Sequence, residues 1–427
     1  MKLPDTLPGW LEYIERQHSK TIALGLARVQ KVADALAARP DFPVILVGGT
    51  NGKGSTCALL EAILIAAGYR VGLYTSPHLI RYNERVRVDG SEVSDEALVR
   101  AFAEVEAARG DTPLTYFEYG TLAAWALFAR ASLDVVILEV GMGGRLDAVN
   151  VFEPDLAIVT SVALDHMDFL GDTREAIGFE KAGIYRAARP ALCADPEPPK
   201  SLVDHALAIG ADLRLIDRDF GFEQSAGRWN WRGRAMRLDD LPPPALKGQV
   251  QYLNASVVLA ALEALQQRLP VPEQAIREAL TRVRLPGRFQ ILGEHPQIVL
   301  DVAHNPQAAL SLARNLSAAS AVKESWAVLG MLADKDVEGV IRAVEPQIDH
   351  WVLCSLPGPR GLTAESLRER VLRAGVRGDI DLAGSPTDAL ARCRERAGVD
   401  DRIAVFGSFL TVTDVLAGTD AEGSSNG

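Results

Sequence analysis

The segment with the clearest chemistry is glycine-rich and reads Gly48-Gly49-Thr50-Asn51-Gly52-Lys53-Gly54-Ser55-Thr56. It follows an apolar run at 44–47 that is typical of a buried strand, and it precedes a helical pattern at 57–64. A strand, a glycine loop and a helix in this order form a phosphate loop, whose backbone N–H groups bind a polyphosphate. Lys53 would reach the terminal phosphates, and a hydroxyl would assist Mg²⁺. The spacing departs from the common pattern, since four residues separate Gly48 from Lys53, so a glycine turn without a ligand is the alternative.

Two further side chains follow predicted strands. Glu139 ends the apolar run at 135–138, and His166 comes shortly after the run at 156–160. The carboxyl ends of parallel strands meet at one edge of a sheet, so both residues would face the phosphate loop. Glu139 could hold Mg²⁺ or be a surface carboxylate. A histidine flanked by aspartates is, taken alone, more often structural than metal-binding.

Other polar residues at strand ends are ambiguous when taken alone. Ser76 follows the strand at 71–74 and could bind Mg²⁺. Lys181 could be an ordinary lysine at a helix end. Asp301 could hold a ribose hydroxyl or cap an Asn-Pro turn, and Arg288 could reach a phosphate or join a surface ion pair.

The elements that must position these residues alternate between strand and helix patterns. After a helical leader at 11–36, apolar strands alternate with helical patterns such as 94–108 and 119–131 up to about residue 281. This order predicts an α/β fold with a mainly parallel sheet covered by helices on both faces. Residues 220–244 predict a hairpin excursion. A second strand and helix series follows Arg288, so we expect three segments: a P-loop NTPase-like ATP-binding domain at 1–285, a smaller Rossmann-like domain at 286–417 and a disordered tail at 418–427.

Composition limits the class of partner. The 427 residues are 48% hydrophobic and 24% charged, and 56 acidic residues outnumber 45 basic ones. This balance argues against a broad nucleic-acid or membrane surface and favours small molecules. The four cysteines are scattered, which favours reduced thiols over disulfides or a zinc site. Because neither a signal-peptide core nor an apolar membrane span is apparent, we expect a cytoplasmic protein, and we expect a monomer.

Six short motifs occur in one order along the chain. They are GTNGKGS at 49–55, TSPHL at 75–79, EVG at 139–141 with GGRLD at 143–147, DH at 165–166, EKAGI at 180–184 and DVAHNP at 301–306. Together they resemble the folylpolyglutamate synthase family, including its bifunctional dihydrofolate synthase type, and more distantly the Mur peptide ligases. The resemblance extends from residue 21 to residue 409.

The resemblance implies roles for individual residues. Those at the phosphate loop bind ATP: Thr50, Asn51, Gly52, Lys53, Gly54, Ser55 and Thr56. Ser76, Glu139 and His166 correspond to Mg²⁺ ligands, with two ions expected, and Lys181 to a lysine that CO₂ converts into a carbamate ligand. Asn254, Arg288, Asp301 and His304 correspond to positions of ATP binding or the glutamate step, His304 as a catalytic residue. Phe117, Asp147 and Ala148 fall where the pterin substrate lies in bifunctional members. Val250 departs from the family, which often has His there, so the nucleotide contact of that loop is in doubt.

The implied activity is ATP-dependent addition of L-glutamate to dihydropteroate and to tetrahydrofolates through an acyl phosphate, with Lys53, Lys181 and His304 as catalytic residues. A Mur-type ligase acting on a UDP-sugar peptide is the nearest alternative, but only about forty residues precede the phosphate loop, where such enzymes usually carry a UDP-binding domain. A P-loop regulator or a simple phosphotransferase is the other alternative.

Overall fold

The computed structural model describes residues 3–18, 22–38, 40–225 and 227–424, with side chains described to residue 418. The chain divides into two compact units. Unit 1 comprises Met1–Ala245 and Tyr252–Val283, and unit 2 comprises Leu246–Gln251 and Arg284–Gly427. The division after Val283 lies two residues before the predicted one, whereas the inclusion of 246–251 in unit 2 was not predicted. Residue 21, where the family resemblance begins, lies outside the described residues.

Unit 1 contains an eight-stranded sheet with the order β4-β3-β2-β5-β1-β6-β7-β8. Its strands are β1 (Val44–Gly48), β2 (Val71–Tyr74), β3 (Val86–Val88), β4 (Ser91–Glu92), β5 (Val135–Glu139), β6 (Leu156–Val159), β7 (Pro190–Cys193) and β8 (Asp212–Leu215). The six strands from β2 to β8 in this order are parallel, and β3 and β4 add an antiparallel edge. The predicted mainly parallel sheet is confirmed.

The helices of unit 1 have buried apolar residues, and several of them begin at a side-chain cap. They are α1 (Leu7–Glu15), α2 (Ala27–Leu36), α3 (Lys53–Ala66), α4 (Asp95–Arg109), α5 (Tyr116–Arg130), α6 (Met167–Leu170), α7 (Arg174–Ala182), α8 (Lys200–Ala208), α9 (Val250–Leu265, which begins in unit 2) and α10 (Glu273–Arg282). Thr115 and Glu118 cap α5 reciprocally, a pattern that stabilises a helix start. The helical leader predicted at 11–36 corresponds to two helices, since α1 ends at Glu15 and α2 begins at Ala27.

The predicted hairpin excursion is an antiparallel three-stranded sheet. Its strands are β9 (Gly221–Ser225), β10 (Arg228–Arg232) and β11 (Arg237–Leu241), in the order β11-β10-β9. Trp229 and Trp231 are buried on one face of β10, and the Trp231 indole N–H donates to Ser256 on α9. The alternation of buried and exposed residues along β10 is what a half-buried strand requires.

Unit 2 contains a six-stranded sheet with the order β12-β13-β17-β14-β15-β16. Its strands are β12 (Gln290–Glu294), β13 (Gln297–Leu300), β14 (Ser325–Leu329), β15 (His350–Cys354), β16 (Ile380–Ala383) and β17 (Arg402–Phe406), and its helices are α11 (Pro306–Ala318), α12 (Val337–Val344), α13 (Ala364–Arg373), α14 (Pro386–Arg396) and α15 (Phe409–Ser424). The four predicted strands of this series are present, and the edge strands β12 and β16 were missed. All pairs are parallel except β12 with β13.

The predicted disordered tail at 418–427 overlaps α15, which extends to Ser424. Residues 425–427 lie outside the described part of the chain. The four cysteines are free and buried. In the part of the chain that the structure describes, no helix is both long and apolar enough to cross a bilayer.

Candidate active site

The phosphate loop lies between β1 and α3, where the sequence predicted it. β1 ends at Gly48 and α3 begins at Lys53, with Gly52 in a left-handed conformation (φ 92°) that favours glycine. The Lys53 ammonium contacts the carbonyl oxygens of Gly49 and Thr50, each at 3.3 Å. The Lys53 side chain therefore lies against its own loop, at the position where a polyphosphate would bind.

The loop is attached to the segment that follows β6. Thr50 N donates to Ser161 O at 2.7 Å, and Asn51 N donates to Ser161 Oγ at 3.1 Å. The Thr50 hydroxyl bonds both the N–H and the carbonyl of Ala163. His166 lies three residues further on, in the left-handed conformation (φ 52°) at the start of α6. These bonds bring the predicted ligand His166 to the same sheet edge as the phosphate loop.

Ser76 and Glu139 are neighbours at this edge. β2 pairs with β5, and Ser76 N donates to Glu139 Oε2 at 3.1 Å. Glu139 is buried. In the sheet order, β2, β5, β1 and β6 are adjacent, so Ser76, Glu139, the phosphate loop and His166 follow four neighbouring strands at their carboxyl ends.

Lys181 is 3% exposed in the last turn of α7. Burial and the nearby charge of Lys53 lower the pKa of Lys181 to about 7, against the opposing effect of Asp165 and Asp147. The amine thus lies within electrostatic reach of the phosphate loop. At neutral pH an appreciable fraction of it is uncharged.

The glycine segment after β5 packs on the end of α7. Arg145 N donates to Glu180 O at 2.8 Å. A Cβ on Gly144 would lie 2.9 Å from the same carbonyl oxygen and 3.0 Å from Lys181 O. Only a residue without a side chain fits here, so this contact determines where Lys181 lies.

Asp147 and Phe117 occupy adjacent parts of unit 1. The Asp147 carboxylate accepts from Met142 N at 2.9 Å and from Val149 N at 3.2 Å, and burial raises its pKa to about 7. The Phe117 ring packs on Gly141, where a Cβ would lie 2.6 Å from Cζ. Ala148 is buried and begins the 3₁₀ helix Ala148–Val151 that Asp147 caps. The three predicted pterin residues are therefore attached to one segment, 141–148.

Asn254 packs directly against the phosphate loop. Its Oδ1 lies 2.5 Å from the position that a Cβ on Gly52 would take. The segment that carries it is helix α9, which begins at Val250, rather than the loop that the sequence suggested. Val250 is therefore the first residue of a helix, at the position where the family often has His.

The remaining predicted residues belong to unit 2 and lie together there. Asp301 follows β13 and accepts from Phe289 N at 3.0 Å and from Ala303 N at 2.8 Å, and burial raises its pKa despite Arg288. The His304 Nδ1–H donates to Val302 O at 2.9 Å. Both Arg288, at 5.3 Å, and His304, at 6.1 Å, approach the ring of Phe409.

Sequence reasoning missed several residues that hold the site together. The Asn150 amide donates to Arg145 O and Gly183 O and accepts from Arg186, so it joins the glycine segment to the end of α7. Arg174 and Asp195 bind the backbone after β6. No local pattern marks such residues, because their partners are distant along the chain.

The donors at this edge suit a hard cation. Glu139 and Ser76 offer oxygen atoms beside the phosphate loop, and Mg²⁺ prefers one or two carboxylates together with phosphate oxygens and waters. Within the described residues, no group of three or more His, Cys, Asp or Glu side chains could hold a metal alone. A site of this composition fits a cation that arrives with a nucleotide.

A phosphate loop at the carboxyl edge of a parallel sheet, with oxygen donors on neighbouring strands, defines a P-loop nucleotide-binding protein. Residues 47–194 match the family model of the Mur ligase middle domain, and residues 287–409 match that of the Mur ligase glutamate ligase domain. The chain is 47% identical to the dihydrofolate synthase/folylpolyglutamate synthase of Escherichia coli K12, over 98% of this chain and 96% of the relative. It belongs to the dihydrofolate synthase/folylpolyglutamate synthase family.

Solved structures of this family resemble the chain closely. The structure of E. coli FolC in complex with DHPP and ADP has a TM-score of 0.94 and 46% identity, and the match covers 99% of both chains. The bifunctional folylpolyglutamate synthase/dihydrofolate synthase from Yersinia pestis, complexed with AMPPNP and Mn ion, has a TM-score of 0.91 and 44% identity over 98% of this chain and 99% of that one. The family resemblance seen in the motifs is confirmed.

Proposed function

We propose that this chain, an ATP-dependent ligase, adds L-glutamate to dihydropteroate and to reduced folates through an acyl phosphate. The observation that carries the proposal is the phosphate loop between β1 and α3, at the sheet edge where the buried Glu139 carboxylate accepts from Ser76 N. A carboxylate is a poor electrophile, so it must first accept the γ-phosphoryl group of ATP. The glutamate amine then attacks the acyl phosphate, forms the amide and releases phosphate.

Unit 1 would bind ATP. The loop from Thr50 to Thr56 offers backbone N–H groups and the Lys53 ammonium to the phosphates, because a glycine loop at a helix N-terminus favours negative charge. Asn254, which packs on Gly52, would contact the nucleotide from α9. We assign Arg288 and Asp301 of unit 2 to ATP and His304 to the glutamate step, and the grouping of Arg288 and His304 around Phe409 supports a shared role.

Ser76, Glu139, His166 and a carbamate on Lys181 would hold two divalent cations. When bound, the cations neutralise the charge of the phosphoryl group in transfer. The bond from Ser76 N to Glu139 supports this assignment, because it orients the carboxylate toward the segment after β2.

The carbamate proposal rests on the state of Lys181. An ammonium would repel a divalent cation, whereas the neutral amine reacts with CO₂, releases a proton and becomes a carbamate with two oxygen donors. The lowered pKa of Lys181 supplies the neutral amine at physiological pH.

Phe117, Asp147 and Ala148 would bind the pterin. Asp147 is buried and its pKa is raised to about 7, so the carboxyl can accept or donate a hydrogen bond to a heterocycle near neutral pH. The partly exposed ring of Phe117, 6.0 Å from the buried ring of Tyr74, offers an apolar surface to a flat ring.

The test is ADP release by purified protein with dihydropteroate, tetrahydrofolate or a UDP-muramyl substrate, each with and without L-glutamate. We expect glutamate-dependent ADP release with the first two substrates. Release without glutamate would indicate a phosphotransferase, and release only with the UDP-muramyl substrate would indicate a Mur-type ligase. Activity on folates alone would restrict the function to chain extension.

We also propose that the protein acts as a monomer in the cytoplasm. The free state of all four cysteines supports a reducing compartment.

A further inference from the structure

Arg174 and Asp195 together bond the backbone N–H and the backbone carbonyl of both Val162 and Glu197. The Asp195 carboxylate accepts from Val162 N at 2.7 Å and from Glu197 N at 3.0 Å. Arg174 donates to Val162 O at 2.9 Å, to Glu197 O at 2.8 Å and to Asp195 at 3.0 Å. The Asp195 side chain is 6% exposed, so its bond to Val162 N is shielded from water, whereas the Arg174 side chain is 40% exposed.

Val162 belongs to the segment that leads from β6 to His166. On the other side of this segment, Thr50 and Asn51 of the phosphate loop bond Ser161 and Ala163. Residues 161–163 are thus held by the phosphate loop on one side and by the Arg174–Asp195 pair on the other. Little freedom is left for the backbone three residues before His166.

The same pair is connected to Lys181. Arg174 is the first residue of α7 and Lys181 lies in its last turn. Because both residues lie on one helix, the bond from Arg174 to Val162 O joins the segment before His166 to the helix that carries Lys181. The pair therefore links the two segments that carry His166 and Lys181.

We propose that Arg174 and Asp195 are positioning residues for the metal site: they set the spacing of His166 and Lys181 without touching the metal. This inference rests on the assignment of His166 to a divalent cation under the proposed function. Residues that orient metal ligands typically change metal affinity by about tenfold or more when they are replaced.

Asp195→Asn tests the proposal with little change in volume. An amide has one acceptor oxygen, and its NH₂ group would face an N–H donor where Asp195 has a second carboxylate oxygen. At least one of the bonds to Val162, Glu197 and Arg174 must then be lost. Because Oδ2 accepts from both Val162 N and Arg174 and Oδ1 only from Glu197 N, Arg174→Met is measured beside Asp195→Asn: methionine removes every hydrogen bond of the Arg174 side chain and keeps an apolar stem. The backbone after β6 should become more mobile when its bonds to this pair are lost.

Asp155→Asn is the matched control. Asp155 precedes β6, accepts from Val44 N at 2.9 Å and from Arg268 at 2.7 Å, and lies at the opposite end of the strand from His166. It has the same chemistry as Asp195, a carboxylate that bonds a backbone N–H and an arginine. Its replacement should cost stability without changing the metal site.

The experiment measures Mn²⁺ binding in the presence of AMPPNP by electron paramagnetic resonance, together with amide hydrogen exchange of residues 160–166. We expect Asp195→Asn to weaken Mn²⁺ binding about tenfold and to speed exchange, and Asp155→Asn to change neither. Equal Mn²⁺ affinity in Asp155→Asn, Asp195→Asn and Arg174→Met would overturn the inference. If Asp195→Asn does not fold, unchanged Mn²⁺ affinity in Arg174→Met overturns it equally, because methionine has no N–H to donate to Val162 O, Glu197 O or Asp195.

His166→Ala separates this inference from the proposed function. If His166→Ala leaves Mn²⁺ affinity unchanged, the assignment of His166 as a ligand is wrong. If His166→Ala weakens binding while neither Asp195→Asn nor Arg174→Met does, the ligand assignment stands and the positioning role of the pair is wrong.

Discussion

Replacing Lys181 by methionine should abolish ligation and stabilise the CO₂-free protein. The pKa of Lys181 falls from 10.5 to about 7 on folding. Between these values the unfolded chain binds more protons than the folded one, so the stability of the wild type rises with pH from about 7 to 10.5. At pH 7 the pKa shift lowers the free energy of unfolding by about 4 kcal/mol, which is nearly its full effect. At pH 9 it lowers the free energy of unfolding by about 2 kcal/mol. Methionine has no charge to bury and removes this cost.

The assay is urea unfolding of the wild type and of Lys181→Met between pH 6.5 and 9 in CO₂-depleted buffer. Because the chain has two units, the transition of unit 1 is followed by hydrogen exchange of α7. We expect Lys181→Met to be more stable by about 4 kcal/mol at pH 7, with the difference shrinking by about half at pH 9. Added bicarbonate should stabilise the wild type only.

Two results would refute this reasoning. A Lys181→Met protein that is less stable than the wild type at pH 7 would mean that the amine is well paired rather than desolvated. A stability difference that does not change with pH would mean that its pKa is not shifted. Lys181→Ala provides an independent check: we expect it to lose most activity and to regain part of it with formate or acetate, which can occupy the space of the carbamate.

Three further outcomes are expected. Lys53→Ala should abolish ligation and leave thermal unfolding nearly unchanged, because the ammonium contacts only loop carbonyls; near-normal turnover would contradict the assignment. Glu139→Ala and His166→Ala should each raise the Mg²⁺ concentration needed for half-maximal rate, which a titration of initial rates measures, and unchanged midpoints would make both residues structural. Gly144→Ala should lower both Tm and kcat, because its Cβ would lie 2.9 Å from Glu180 O and displace the end of α7; unchanged values for both would show that the segment can adjust.

Local sequence determined most of the buried strands and several helices to within a few residues. Strands such as β1 and β5 are continuous apolar runs, as buried parallel strands require, and their periodicity and length identify them without any tertiary information. The same holds for α4, because Ser94 caps it and an apolar stripe follows. The leader was predicted less well: residues 16–21 are polar and Gly25 has a φ of 131°, and the break between α1 and α2 that they mark was not predicted.

Motifs indicated which residues could do chemistry but not which of them meet. Ser76 and Glu139 are 63 residues apart in the chain, and only the pairing of β2 with β5 brings the Ser76 N–H to the Glu139 carboxylate. Lys181 looked like an ordinary helix-end lysine, because a helix dipole favours a cation at that position. Its burial, and therefore its lowered pKa, depends on the packing of α7 against the glycine segment after β5.

The residues that hold the site in place could be identified only from the tertiary structure. Arg174, Asp195 and Asn150 have no motif of their own, and each acts through hydrogen bonds to backbone groups of other segments. Nearly every residue has the same backbone N–H and carbonyl groups. The sequence of the bonded segment therefore does not show that the contact exists. The sequence by itself therefore determined the class of fold and the candidate chemical groups, whereas the protonation of Lys181 and the positioning of the site were decided by the packing of distant segments.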